Sequence, residues 1–223
     1  MNAKSKLHVA VDLDEVVVDC HRFFIEYYNA RHHTNFDPDG MTSYNYKHFM
    51  KDQSTEKIDT TLNDFYQTPM FRDLPFREHA LEGLRAASQA PHIAGLHVVT
   101  ARGGIAIPKT FEWIEQRAAG IFRSINFSKP FDPNISGKNK GVICEELGCN
   151  ALIDDSIGNI TECTSRGIAG ILVTQPWNIS HPTTKKYNPS GPNPLSPAET
   201  IRVNGWSEIY NPHGTGILNQ KIV

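Results

Sequence analysis

No stretch of the 223-residue chain approaches the roughly 18 consecutive apolar residues of a membrane-spanning helix. The N-terminal run "MNAKSKLHVAVDLDE" carries two lysines, but aspartates cut its apolar stretch short, so it does not read as a signal peptide. Cysteine is scarce. Cys20, Cys144, Cys149 and Cys163 form no CxxC pair, which excludes a disulfide scaffold and predicts reduced thiols in a cytoplasmic protein. Cys144 and Cys149 have neither the spacing nor the partner histidines of a zinc site. Charge of one sign is lacking too. A formal net charge of -2 gives no basic field, so neither a nucleic-acid polymer nor an acidic membrane is an expected partner. There is no internal repeat, and nothing in the chain reports on oligomeric state.

What remains is an ordinary globular composition, 39% hydrophobic and 21% charged, in a length suited to one large domain or a domain with a small insertion. Short apolar runs alternate with amphipathic ones. "LHVAV", "GLHVVTA", "SINFS", "NALIDD" and "AGILVTQ" read as strands. Between them, "REHALEGLRAASQA", "PKTFEWIEQRAAG", "NKGVICEELG" and "IGNITECTSRG" read as helices, the second with Pro108 at its start and Gly120 at its end. This alternation predicts an α/β fold, a three-layer, Rossmann-like parallel sheet with helices on both faces.

Residues 19–76 break the rhythm. "HRFFIEYYNARHH" and "TEKIDTTLNDFYQ" are helical, the latter with Ser54 as N-cap, and the connecting segment is rich in turns and aromatics. A small helical cap over 19–76, inserted into a core of 1–18 and 77–223, is the expected organisation. Phe23, Phe24, Tyr27 and Tyr28 then read as cap core. Segment 176–197, rich in Pro, Ser, Thr and Asn, reads as a long irregular loop, and "TIRVNGWSEIYN" returns to order.

The first strand ends abruptly in Asp12-Leu13-Asp14, although carboxylates are costly to bury unless paired or bound to metal. In open parallel sheets, ligands bind beyond the carboxyl ends of the strands. The other strand ends bring Thr100, Ala101 and Arg102, and Asp154 and Asp155, while Lys140 opens a helix. Carboxylates, a hydroxyl and an ammonium converging on one crevice suit phosphoryl transfer. The acids hold Mg²⁺, a carboxylate attacks phosphorus, and Thr100 and Lys140 bind the outer oxygens.

Those same segments resemble the haloacid dehalogenase superfamily. "VAVDLDEVV" is similar to its first motif, "HVVTAR" to its second, Lys140 to its third and "LIDDS" to its fourth, in order, over residues 7–156. An insertion between the first two motifs is what that superfamily calls a C1-type cap. "GIFRSINF", "ILVTQPWN" and "VNGWSEI" further resemble the 5′(3′)-deoxyribonucleotidases and nucleotidase-like proteins. The resemblance implies a Mg²⁺-dependent phosphatase acting through an aspartyl-phosphate on a small phosphorylated substrate, a nucleoside monophosphate first. Asp12 would be nucleophile and metal ligand. Asp14 would be general acid and base, its carbonyl also on the metal, with Asp154 and Asp155 completing or supporting the site. Glu15 is a departure, since many deoxyribonucleotidases have Gly there.

Alternatives stand beside this reading. A lone DxD also occurs in surface turns and glycosyltransferase metal sites. Arg102 reads either as a substrate contact or as a solvated or capping arginine, and Lys138 competes with Lys140. Tyr44 and Tyr46 are candidate substrate contacts in the cap loop. Trp177 and Asn178 read as crevice rim or as loop anchor. A sugar phosphate is the other substrate class, and a non-catalytic partner-binding protein on the same fold is the rival function.

Overall fold

The structure, a computed structural model, describes residues 6–129, 137–181, 185–188, 190, 195–211, 214 and 216–219. Seven parallel strands form one sheet: β1 (Leu7–Val11), β2 (Ile93–Thr100), β3 (Phe122–Phe127), β4 (Ala151–Asp154), β5 (Ala169–Val173), β6 (Lys185–Lys186) and β7 (Thr200–Val203). Their order is β3-β2-β1-β4-β5-β7-β6. β1 therefore lies between β2 and β4, with Val9 opposite Leu96 on one side and Ala151 on the other.

Alternate side chains of a strand face opposite sides of a sheet, and the two cores show it. Leu7, Val9 and Val11 of β1, with Ala151 and Ile153 of β4, enter one buried cluster; Ala10 and Leu152 enter the other. Ile143 and Cys144 of α7 (Lys140–Glu146) and Ile160 and Cys163 of α8 (Ile157–Ser165) cover the second face. The first is covered by α5 (Ala80–Gln89), α6 (Ala106–Arg117) and α9 (Trp206–Ile209). The expected three layers are there.

Between β1 and β2 the chain makes α1 (Cys20–His32), α2 (Tyr46–Phe49), α3 (Thr55–Phe65) and α4 (Pro69–Arg72), with no strand among them. Ser54 caps α3, its Oγ accepting from Lys57 N–H at 3.2 Å. Phe24 and Tyr28, four apart on α1, are fully buried, and Phe65 and Phe71 join them, with Phe65 ring centroids 5.7 Å from Phe24 and 5.6 Å from Phe71. Phe23 and Tyr27 pack against this core half-buried.

Three local expectations shift. Helix α5 begins at Ala80 rather than 77, because His79 takes a left-handed φ of 60°. Helix α6 begins at Ala106, so Pro108 is its third residue; the missing N–H does no harm in a first turn, where amides have no intrahelical acceptor. Part of the loop expected over 176–197 lies outside the described residues. Within it, β6 pairs with β7 as a short edge strand of two exposed lysines, a charged edge that resists further pairing.

Candidate active site

The sheet's carboxyl edge collects the acids. Asp12 follows β1, and its N–H extends the ladder by donating to Ile153 O at 2.9 Å. Its Oδ1 accepts from Leu13 N–H at 2.8 Å and its Oδ2 lies 2.7 Å from Lys140 Nζ. Lys140, the first residue of α7 and buried, also donates to Asp154 Oδ2 at 2.8 Å. Asp154 ends β4 and is held by Ser156 N–H at 2.7 Å and by Asn159 Nδ2 at 3.1–3.2 Å. Asp155 Oδ2 accepts from Trp177 Nε1 at 2.9 Å. Lys138 pairs instead with Glu146 at the surface, at 2.7 Å.

Oxygens of Asp12, Asp154 and Asp155 lie within 4.8 Å of one another, all buried. Burial, together with the charges of Asp154 and Asp14 and against that of Lys140, pushes the Asp12 carboxyl up to about 7. Burial, then Asp154 and Asp12, also raises Asp155. A divalent cation would relieve that crowding, and an all-oxygen donor set suits magnesium. The residues present fit the ion.

Asp14 has a different environment. Arg102 donates to it from both Nε, at 3.0 and 3.2 Å, and Nη2, at 2.6 Å. Burial opposes ionisation there, but the guanidinium prevails and holds the Asp14 carboxyl below its ordinary range. Arg102 is only 4% exposed, donates to Thr110 Oγ1 at 3.3 Å, and lies 4.7 Å from the Phe71 ring centroid in the helical insertion. It is thus neither a solvated arginine nor a helix cap. Thr100, the last residue of β2, is fully buried, and the exposed Ala101 follows it.

A cavity of about 210 Å³ opens over these groups, with Asp12, Asp14, Asp155 and Lys140 among its walls. Glu15, His21, Tyr44 and Ala101 also border it. Tyr44 is 46% exposed. Tyr46 does not border the cavity; its hydroxyl pairs with His21 Nδ1 at 2.7 Å and its ring centroid is 4.5 Å from that of Phe24. Asn178 is fully buried and acts as the loop anchor. Its Nδ2 donates to the carbonyls of Asp155 and Val173, both at 2.8 Å, and Arg202 donates to its Oδ1 and carbonyl. Sequence reasoning missed His21, Ser156 and Asn159. The last two occupy the start of α8 directly after "LIDD", where a helix N-terminus turns amides toward the strand end, and that was the available signal.

The family match and the parallel α/β fold together mark a phosphatase of the haloacid dehalogenase type. Residues 6–211 match the family model described as "5' nucleotidase, deoxy (Pyrimidine), cytosolic type C protein", and the chain belongs to that family. No curated protein sequence matches it. Solved structures similar in fold include a haloacid dehalogenase-like hydrolase from Streptococcus pneumoniae (14% identity, TM-score 0.60, 92% of this chain and 96% of that one). CbbY from Rhodobacter sphaeroides, in complex with phosphate, aligns at 12% identity and TM-score 0.57, over 93% and 98% of the two chains. YfnB from Bacillus subtilis, bound to magnesium, aligns at 12% and 0.54 over the same shares. No helix among the described residues is long and apolar enough to cross a membrane.

Proposed function

We propose that the chain hydrolyses a small phosphomonoester, with a nucleoside monophosphate the first candidate, through an aspartyl-phosphate on Asp12. The observation that carries this reading is Lys140 Nζ set between Asp12 Oδ2 and Asp154 Oδ2, at 2.7 and 2.8 Å, beside the cavity that Asp14 also borders. A cation beside Asp12 favours its ionised, nucleophilic form and draws in an anionic ester.

In the first half-reaction an Asp12 oxygen bonds to phosphorus as the ester bond breaks, and Asp14, ionised in the free protein, takes up a proton from solvent as the anionic ester enters beside it and passes that proton to the departing alkoxide. In the second, Asp14 takes a proton from water, whose oxygen attacks phosphorus and frees Asp12 and inorganic phosphate. Lys140 and Thr100 hold the outer oxygens, where transition-state charge gathers. Arg102 keeps the Asp14 carboxyl group in one orientation throughout. Magnesium, held by Asp12, Asp154 and the Asp14 carbonyl with Asp155 in support, would screen the repulsion between nucleophile and substrate.

We read residues 19–76 as a cap on a core of 1–18 and 77–223, with Tyr44 as its substrate-facing side chain. The cavity's modest size, about 210 Å³, also favours a second reading in which the leaving group is no larger than a sugar. The four free, buried cysteines accord with a reducing, cytoplasmic setting.

Phosphate release from a panel of phosphomonoesters, deoxyribonucleotides and sugar phosphates included, tests the reading with Mg²⁺ present. Activity should vanish in EDTA. Asp12→Asn should lose at least ~10³-fold in kcat, about 4 kcal/mol on the barrier. A purified Asp12→Asn protein retaining a tenth of wild-type turnover would sink it.

A further inference from the structure

Glu15, directly after the acidic pair, has a φ of 62°, a left-handed conformation that suits glycine and strains a residue with a Cβ. Its side chain is buried at the border of the cavity and has no role in the half-reactions above. Such a conformation persists only where the surroundings hold it. The core holds the backbone: Gln175 Nε2 donates to the Glu15 carbonyl at 2.8 Å, and Trp206 Nε1 to the Val16 carbonyl at 2.7 Å.

The carboxylate reaches instead toward the helical insertion. Oε1 accepts from His21 N–H at 2.7 Å, in the first turn of α1. Asp19 occupies the N-cap position of α1 but makes no capping bond, so Glu15 satisfies an amide that would otherwise lack an acceptor. Oε2 faces Arg77 Nη1 at 3.5 Å. Arg77 lies where the chain re-enters the core; its own N–H donates to Val17 O at 2.8 Å, next to the bridge between Val18 and Phe76. One carboxylate thus touches both linkers of the insertion. His21, whose backbone it holds, borders the cavity and carries Tyr46 on its Nδ1.

We propose that Glu15 is a positioning residue, a clasp across the two linkers that fixes the helical insertion, and with it the His21 wall, over the cavity. Its kinetic consequence rests on the phosphomonoester reading; the clasp itself rests on the contacts alone.

Amide hydrogen exchange and steady-state kinetics on Glu15→Gly and Glu15→Gln test it. Glycine suits the left-handed turn, so the first variant removes the clasp without adding strain, while glutamine keeps an oxygen acceptor for His21 N–H. Glu15→Gly should speed exchange at both His21 and Arg77 by roughly tenfold or more, with β1 and β4 unchanged. Arg77 is the decisive amide, because the substitution leaves its Val17 acceptor in place. KM for the best phosphomonoester should rise about fivefold or more, with kcat within about threefold, and Glu15→Gln should stay near wild type in both measurements. Unchanged exchange at Arg77, acceleration spread evenly over the whole chain, or a glutamine variant as loose as the glycine one would overturn the clasp. So would a fall in kcat matching the change in KM, which would put Glu15 in the chemistry. Should no ester yield phosphate, the phosphomonoester reading fails and exchange at Arg77 alone decides the clasp.

Discussion

Arg102 makes its contacts with groups that no local pattern links to it: Asp14, 88 positions away, Thr110 on α6 and the Phe71 ring. A lysine there would be a point charge without the planar fork that grips both carboxylate oxygens. Arg102→Lys should therefore lower kcat for alkyl phosphates by roughly 10- to 100-fold. The loss on p-nitrophenyl phosphate should be smaller, since its leaving group needs little protonation. Parallel kinetics on the two esters check this, and equal losses would move Arg102 from orienting Asp14 to some other task. The two tyrosines separate in the same way. Tyr44→Ala should cut kcat/KM for the best natural ester about tenfold, in line with the ~1–3 kcal/mol of a stacked base, and leave p-nitrophenyl phosphate within about threefold. Tyr46 is half-buried against Phe24 and His21, so Tyr46→Ala should instead cost about 2 kcal/mol of stability in urea unfolding. A stable Tyr46→Ala with selective loss on the natural ester would reverse the assignment.

Elements are placed by close approaches as much as by apolar periodicity. Gly170 in β5 lies under α8, and a Cβ there would stand 2.6 Å from Ile160 Cγ2 and 3.2 Å from Thr200 Oγ1. Helix α8 cannot retreat freely, because Asn159 in its first turn bonds Asp154 and its Ile160 and Cys163 are core. Gly170→Ala should thus cost about 1–3 kcal/mol in urea unfolding. It should also reduce Mg²⁺-supported turnover, as α8 shifts Asn159 away from Asp154. A variant as stable as wild type would mean that the two elements separate without strain.

For the molecule as a whole, the join between insertion and core is sensitive to pH. His21 sits at that join, its Nδ1 on Tyr46 and its ring centroid 5.2 Å from that of Trp177. Burial lowers its pKa to about 4, against the pull of Asp14 and Asp19. The folded state therefore keeps this histidine neutral, while the unfolded chain binds a proton near pH 6.5. The stabilisation is complete above about 6.5 and is lost as pH falls toward 4, by about 3 kcal/mol in full. His21→Gln has no such titration. Urea unfolding of both proteins at pH 7 and pH 4.5 should show wild type losing about 2–3 kcal/mol more than the variant over that interval. Equal losses would mean that His21 is solvated or already charged when folded.

Strands β1 to β5, the helices that alternate with them and the helical run over 19–76 were legible because each follows from a local apolar period, and the parallel order then sends their ends to one edge; β6, two exposed lysines, has no such period. That predicts Asp12, Asp14, Thr100, Lys140, Asp154 and Asp155 at one edge, and of these Asp12, Asp14, Lys140 and Asp155 border the cavity. The partners of the buried polar groups were not legible in that way. That Arg102 grips Asp14, that Trp177 donates to Asp155, and that Glu15 ties His21 to Arg77 follow from which groups lie within hydrogen-bond reach after packing. A buried charge must find a partner or be neutralised, but many residues of the right type compete for each one along the chain. Packing alone brings one of them within about 3 Å.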